Sequence, residues 1–401
     1  MILPRASGLQ STHGYQNSLR VMLNNRWRVP RIRHRENNQY LKAGLLEAFE
    51  KMLDQDGWRE DVFVKKAEEQ LTGITGLACV STVQSGSAAL RLALSACGLK
   101  PGDEVITVAN SDISTTASVS QCGGKVVFCD INESDFTLAV DKVEVLITEK
   151  TACILPVDLY GHPADVKRLK EIADRYNLFI VEDAALAMGS RDYGKNVGAF
   201  ADAVIFSVAP TKNISALGQG GIVATNRFEV YEQVEILKGY GRPFSEAATV
   251  PLYCKFVAEG YNLRMHTIDA AALTVKMPYV EERCARRKEI GNKYTRLLED
   301  VEGIELPSFR EDSEPVFRSF SVRTPNRDKV TELMRQNGVE VTLNYIPAMH
   351  RQPIYENPAE GFLSNTDAVC EEIMCLPVFP EMTDEEIYFV CDSLIESIEK
   401  A

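Results

Sequence analysis

Four short segments of the chain carry residue types that can do chemistry. Ser85-Gly86-Ser87-Ala88 opens a helical run directly after the apolar stretch LACVSTVQ. The start of a helix offers free backbone N–H groups and the positive end of the helix dipole, which suits an anion, and Ser87 adds a hydroxyl. The same residues also make an ordinary turn and cap. LFIVEDAALAMG is an apolar run ending in Glu182 and Asp183, and side chains alternate along a strand, so only one of the two acids points to a given face. An acid at the carboxyl end of a strand stands where open α/β sheets bind ligands, although a helix-capping acid leaves the same trace. AVIFSVAPTKNISALGQGGIVATN sets Ser207, Lys212, Gly218, Gly220 and Gly221 between two apolar runs. A lysine held there loses its proton readily and becomes an amine nucleophile. EGYNLRMHTIDAAAL places Asn262 and Arg264 among aromatic and apolar neighbours.

An anion-cradling turn, a strand-end acid and a lysine 29 residues after that acid are parts that one cofactor needs together. Pyridoxal 5'-phosphate requires a phosphate site, an acid paired with its ring nitrogen and a lysine for a Schiff base.

The elements that must position these residues alternate from about residue 75. SAALRLALSACG reads as a helix, DEVITVA, KVVFCD, ACILPVD, LFIVED, AVIFSV and GIVATN as buried strands, and ADVKRLKEIADRYN as an amphipathic helix. That alternation predicts an α/β fold with a mostly parallel central sheet flanked by helices. TIDAAALTVKMPYVEERCARRKEIGNKYTRLLEDV reads as one long helix. FRSFSVRT (strand), RDKVTELMRQNG (helix), VEVTLNY (strand) and TDEEIYFVCDSLIESIEK (helix) then predict a smaller α+β C-terminal domain. The expected division is a basic arm over residues 1–40, a large domain over 41–264 and a small domain over 265–401. At 401 residues the chain can bury a large core.

The net charge of -13 argues against a nucleic-acid binder, and no apolar stretch reaches the roughly 18 residues of a membrane helix. The average hides a split: residues 1–35 hold seven arginines and no acid, against 37 basic and 57 acidic residues in the remainder. This front end is expected to be an irregular arm on the body or on a second subunit, in preference to an organelle transit peptide of similar composition. Ten cysteines without a C-x-x-C pair imply reduced thiols and a cytoplasmic setting. The five histidines lack metal-ligand spacing, so no metal is expected.

Taken together, SGSAAL, PGDEVIT, LYGHPAD, VEDAALAMG, FSVAPTKNISALGQGG, GYNLRM, NYIPAMH and CLPVFPEMTDEE resemble the DegT-like nucleotide-sugar aminotransferases, a branch of the fold type I pyridoxal phosphate enzymes. The resemblance runs from about residue 44 to the C-terminus. It implies a transfer of the amino group of an L-amino acid, glutamate first, to a keto or aldehyde group of a sugar that is nucleotide-linked. By the resemblance, Lys212 carries the cofactor as a Schiff base and moves protons, and Asp183 binds the pyridine nitrogen. Ser207 and Ser87, with the N–H groups of Gly86 and Ala88, hold the phosphate. Asn262 reaches the cofactor phosphate of a partner subunit, which makes a homodimer with shared sites.

Three positions depart from the family pattern. Asp112 falls where the ring-stacking aromatic is expected, Leu186 replaces a glutamine at the cofactor, and Met188 replaces a nearby histidine. Two other readings stand beside the transaminase. One is a sugar dehydratase of the same fold, whose relatives carry histidine in place of the lysine. The other is a non-catalytic regulatory protein that binds the cofactor.

Overall fold

The computed structural model describes residues 27–54, 62–244, 255–355 and 363–401. Its centre is a seven-stranded sheet of β1 (Cys79–Val83), β2 (Glu104–Val108), β3 (Lys125–Cys129), β4 (Thr151–Leu155), β5 (Phe179–Asp183), β8 (Ala203–Ser207) and β9 (Gly221–Thr225). The strand order is β1-β9-β8-β5-β4-β2-β3. Two-residue strands β6 (Arg191–Asp192), β7 (Lys195–Asn196) and β10 (Ser313–Glu314) make a side ribbon. β11 (Phe320–Arg323) and β12 (Ile373–Leu376) pair antiparallel in the C-terminal part. The strands from β3 to β8 are parallel, whereas β9 runs antiparallel to both β8 and β1. The expected mostly parallel sheet therefore carries one reversed strand near its edge.

The sheet is apolar on both sides, as a sheet covered by helices must be. Alternation sorts the residues. Val105, Val181, Ile205 and Val223 pack with the helices Gly86–Ala96 and Phe228–Lys238. On the opposite face, Val204 and Ile222 pack with Val62–Thr75 and Thr267–Lys276, while Ile106 and Ile180 pack with Val166–Tyr176. Leu90, Leu92 and Leu94 are fully buried in the Gly86–Ala96 helix, each worth about 1.5–3 kcal/mol of burial. Ala89 and Ala93, with no exposed surface, let that helix lie close on the strands.

Two expectations fail in the C-terminal half. The single long helix is two, Thr267–Lys276 and Val280–Leu298, joined by a 3₁₀ turn at Met277–Tyr279. Pro278 has no N–H to donate and crowds the preceding turn, so the α-helical ladder stops there. VEVTLNY is not a strand. It pairs only through single bridges, Val339 with Val29 and Thr342 with Cys375, because the neighbouring arm offers it two backbone bonds and no more.

The described part of the basic arm lies against the C-terminal part. Val29 is fully buried beside Val339 and Met334. Arg28 stacks on Phe389 at 3.4 Å from the ring centre, and Arg33 pairs with Glu386. Residues 1–26 lie outside the described residues. Among the described residues, no helix is long and apolar enough to cross a membrane.

Candidate active site

The chain following β1, β2, β4, β5 and β8 emerges along one edge of the sheet, and the reversed β9 begins there. Loops leaving parallel strands in this way leave a crevice between them. Here it is a cleft of about 200 Å³, lined by Gly86, Ser87, Asp112, Asp183, Ser207 and Lys212 among others. Residues spread over more than 120 positions of sequence thus meet at one place.

The anion cradle is built from backbone. Ser85 is extended (φ -161, ψ 163), and its hydroxyl accepts from the Ala88 N–H at 3.1 Å, which caps the Gly86–Ala96 helix. Ala88, expected to offer its N–H to the anion, has spent it on this cap and does not line the cleft. The N–H groups of Gly86 and Ser87 have no hydrogen-bond partner among the described residues. Glycine lets Ser207 stand close by: a Cβ on Gly86 would lie 3.0 Å from Ser207 Cβ and 3.2 Å from its Oγ. A Cβ on Gly221 would lie 2.2 Å from the Ser85 carbonyl oxygen. Three chain segments therefore converge on two free amides and a hydroxyl, a fit for a phosphate group.

Alternation along β5 separates the two acids. Asp183 lines the cleft, whereas Glu182 turns away and accepts from the Gly198 N–H at 2.8 Å. Asp183 Oδ2 accepts from Thr115 Oγ1 at 2.8 Å, and its Oδ1 accepts from the Ala185 N–H at 3.2 Å. Thr115 Oγ1 in turn lies 2.8 Å from Ser111 Oγ. Burial pushes the Asp183 carboxyl above its ordinary range, against those hydrogen bonds and the nearby Lys212. A cationic ring nitrogen beside it would restore the carboxylate, since an opposite charge favours the ionised form.

Three lysines are withdrawn from solvent, and their surroundings tell them apart. Lys238 is paired with Glu68 and Glu235. Lys276 donates to Ser215 Oγ and the Ala216 carbonyl, both at 3.4 Å, and does not line the cleft. Lys212 does line it, and its amine has no hydrogen bond or ion pair among the described residues. Burial, then the positive charge of Arg318, lowers its pKa to about 8, against the opposing fields of Asp183 and Asp112. An accessible amine in that state is a nucleophile and a proton carrier.

The remaining expected positions divide. Asp112 lines the cleft, but its Oδ1 accepts from Ser114 N–H at 2.9 Å and Ser114 Oγ at 2.7 Å, which makes it the cap of the Ile113–Gln121 helix. Leu186 lines the cleft, whereas Met188 is buried in the core beside Cys284. Asn262 is exposed, pairs with Gly239 through a backbone bridge and stands outside its own chain's cleft. Sequence reasoning missed Thr115 and Ser111, although the polar run SDISTT after an apolar strand is their signal. It also missed Tyr345, the only aromatic among the described lining residues, which lies in the NYIPAMH motif.

Residues 39–395 match the model of the DegT/DnrJ/EryC1/StrS aminotransferase family. The chain is 33% identical over 376 residues to a pleiotropic regulatory protein of Geobacillus stearothermophilus, covering 92% of this chain and 98% of the relative. It is 35% identical over 322 residues to dTDP-3-amino-3,4,6-trideoxy-alpha-D-glucose transaminase of Streptomyces venezuelae, covering 79% and 82%. Among solved structures, S. venezuelae DesV in complex with a ketimine intermediate superposes with a TM-score of 0.88 at 31% identity, covering 94% of this chain and all of the other. Bacillus subtilis NtdA with bound PMP superposes with a TM-score of 0.82 at 28% identity, covering 90% and 82%.

Proposed function

The chain belongs to the DegT/DnrJ/EryC1/StrS aminotransferase family and is a pyridoxal-phosphate-dependent sugar aminotransferase; from that premise we propose that it moves the amino group of an L-amino acid, glutamate first, onto a carbonyl carbon of a nucleotide-linked sugar. The observation that carries the reading is the unpaired Lys212 amine, depressed to about 8, in one cleft with Asp183 and the free amides of Gly86 and Ser87. The dTDP-sugar transaminase among its relatives supports the nucleotide-linked acceptor.

The residues would act as follows. Gly86 and Ser87 amides and the Ser207 hydroxyl hold the cofactor phosphate, and Asp183 holds the ring nitrogen. Bound there, pyridoxal phosphate supplies an electron sink for the charge left when the donor's α-carbon loses its proton. Thr115 and Ala185 fix the Asp183 carboxylate, so its charge stays aimed at one atom. Lys212 Nζ would attach the cofactor until the donor's amine displaces it; the freed amine would then take the proton from the donor's α-carbon and, in the second half-reaction, return a proton to the sugar carbon that bore the carbonyl oxygen. Lys212 speaks against the dehydratase alternative, since by the resemblance those relatives carry histidine in its place.

The same proposal takes in the finer organisation. Asn262 serves the site of a partner subunit in a homodimer, supported by its exposure outside its own cleft. The division into a 1–40 arm, a 41–264 large domain and a 265–401 small domain is supported in its C-terminal part by the separate apolar core of Ile290, Phe320, Met374 and Leu394, whereas the Thr267–Lys276 helix packs on the large domain's sheet. A cytoplasmic setting is supported by the nine described cysteines, all free thiols. The test is to load purified protein with pyridoxal phosphate and follow its absorbance as L-glutamate is added. Conversion to the amine form supports the reading, and an unchanged spectrum with every L-amino acid refutes it. For Asn262, mixing Lys212→Ala with Asn262→Ala subunits should restore activity, and no recovery would remove the cross-subunit role.

A further inference from the structure

Four arginines are buried among the described residues, and three have obvious partners. Arg287 Nη1 donates to the Val378 carbonyl at 2.6 Å and the Arg318 carbonyl at 3.3 Å. Arg323 pairs with Glu305 and Glu372. Arg327 pairs with Asp328 and donates to the Cys370 and Ile373 carbonyls. Arg318 differs. It is 9% exposed, its backbone is anchored by an N–H to the Tyr160 carbonyl at 2.8 Å, and its guanidinium makes no hydrogen bond or ion pair among the described residues, with Nε fully enclosed.

A buried guanidinium with neither a hydrogen bond nor a counter-ion is costly, and an anion supplied from outside would relieve that cost. Arg318 lines a small polar cavity together with Arg31, Ser319, Thr342 and Asn344. Glu340 is the one acid in that lining, and its Oε2 accepts from the Arg31 backbone N–H at 2.9 Å. Arg31 also has a guanidinium with no hydrogen bond or ion pair among the described residues, and the basic arm carries it in. The cavity adjoins the reaction centre: Asn344 lines it, and the next residue, Tyr345, lines the cleft. The charges of Arg318 and Arg31 both reach Lys212.

We propose that Arg318 and Arg31 form a clamp for an oxyanion, carboxylate or phosphate, carried by a substrate that reacts at Lys212. The inference rests on the proposed transaminase reading and deepens it, because two planar, permanently charged forks beside an amine nucleophile match a fixed anion on the molecule being transformed. It also gives the basic arm a task at the active site.

The test uses the holoenzyme, in which the cofactor's own phosphate fills the Gly86–Ser207 cradle. Arg318→Gln, Arg318→Lys and Arg31→Gln are compared with the parent for cofactor absorbance, for calorimetric binding of inorganic phosphate, and for KM and kcat of the half-reaction with L-glutamate and with its α-decarboxylated analogue 4-aminobutyrate. If the anion is the donor carboxylate, Arg318→Gln raises KM for glutamate at least about tenfold, leaves kcat within about threefold and removes the preference over 4-aminobutyrate, and lysine restores part of it. If the anion is an acceptor phosphate, glutamate KM is unchanged and inorganic phosphate binding weakens at least about tenfold. Glutamate KM and phosphate affinity both within about twofold of the parent in Arg318→Gln would overturn the clamp. Should that variant fail to hold cofactor, Arg31→Gln, at a partly exposed position on the arm, is measured by the same readouts and decides the clamp by the same thresholds. A holoenzyme that accepts no L-amino acid defeats the transaminase reading, while the phosphate titration still decides the clamp.

Discussion

The floor of the cleft and its C-terminal wall solve opposite electrostatic problems. The floor, at the carboxyl ends of β1, β5 and β8, is assembled from backbone amides and from an acid whose oxygens are already met by Thr115 and Ala185. The wall, built from Arg318, Tyr345 and the arm's Arg31, holds two guanidinium groups that make no ion pair among the described residues, with Glu340 the one acid in the lining they share. A preorganised, satisfied floor suits a group that stays bound, and an unsatisfied wall suits a group that arrives and leaves. The wall bridges two cores: Arg318 lies just before β11, whose Phe320 and Val322 belong to the C-terminal core, whereas Tyr345 packs against the core of the large sheet.

The largest expected effect separates two lysines of equally depressed pKa, each lowered to about 8. Lys212→Ala should abolish covalent cofactor capture and reduce turnover at least about 10³-fold, measured by absorbance and steady-state rate. Lys276→Ala, outside the cleft, should leave turnover within about fivefold and lower thermal stability. If the two variants behave alike, the assignment of floor chemistry to Lys212 is lost. Asp183→Asn should follow, costing about 10²–10⁴ in turnover while retaining the Thr115 contact. Gly221→Ala tests the floor's rigidity, since its Cβ would lie 2.2 Å from the Ser85 carbonyl oxygen; about 1–3 kcal/mol of destabilisation and weaker cofactor retention are expected in a denaturation series.

Acidity then couples floor to wall. With Lys212 near 8, its free-amine fraction rises about fivefold from pH 7 to pH 8, and the rate of cofactor capture by the apo protein should rise with it. The folded value lies below the ordinary 10.5, so the fold opposes protonation of this amine. That destabilising contribution is fully present below about 8 and fades as pH rises toward 10.5. Removing the Arg318 charge should move the capture profile to higher pH, and a profile that stays in place would break the link between the regions. The smallest effect is expected at Asp112→Ala, where loss of the helix cap costs about 1 kcal/mol of stability and changes cofactor affinity little. A collapse of affinity there would give Asp112 a direct role at the cofactor.

Much of the floor is legible in sequence because its parts are local. SGSAAL, VEDAAL and the Ser207–Lys212 spacing each describe one strand end and one turn, and alternation along β5 already assigns one face to Asp183 and the other to Glu182. The wall is not legible in this way. Arg318 stands in a strand-like run among other arginines, and nothing in FRSFSVRT says which of Arg318 and Arg323 meets an acid. Ala88 shows the same limit on the floor, because whether its N–H faces a ligand or Ser85 depends on a side-chain rotamer.

By itself the sequence determined the alternation of strands and helices, the cradle glycines, and the lysine and acid that must meet, since periodicity, turn chemistry and residue type are properties of short segments. Only the tertiary structure decided that the arm inserts Val29 into the C-terminal core, and that one of the four buried arginines, Arg318, has a guanidinium with no hydrogen bond or ion pair among the described residues. Those outcomes depend on which distant groups come within hydrogen-bonding reach, and pairing across hundreds of residues is settled by packing.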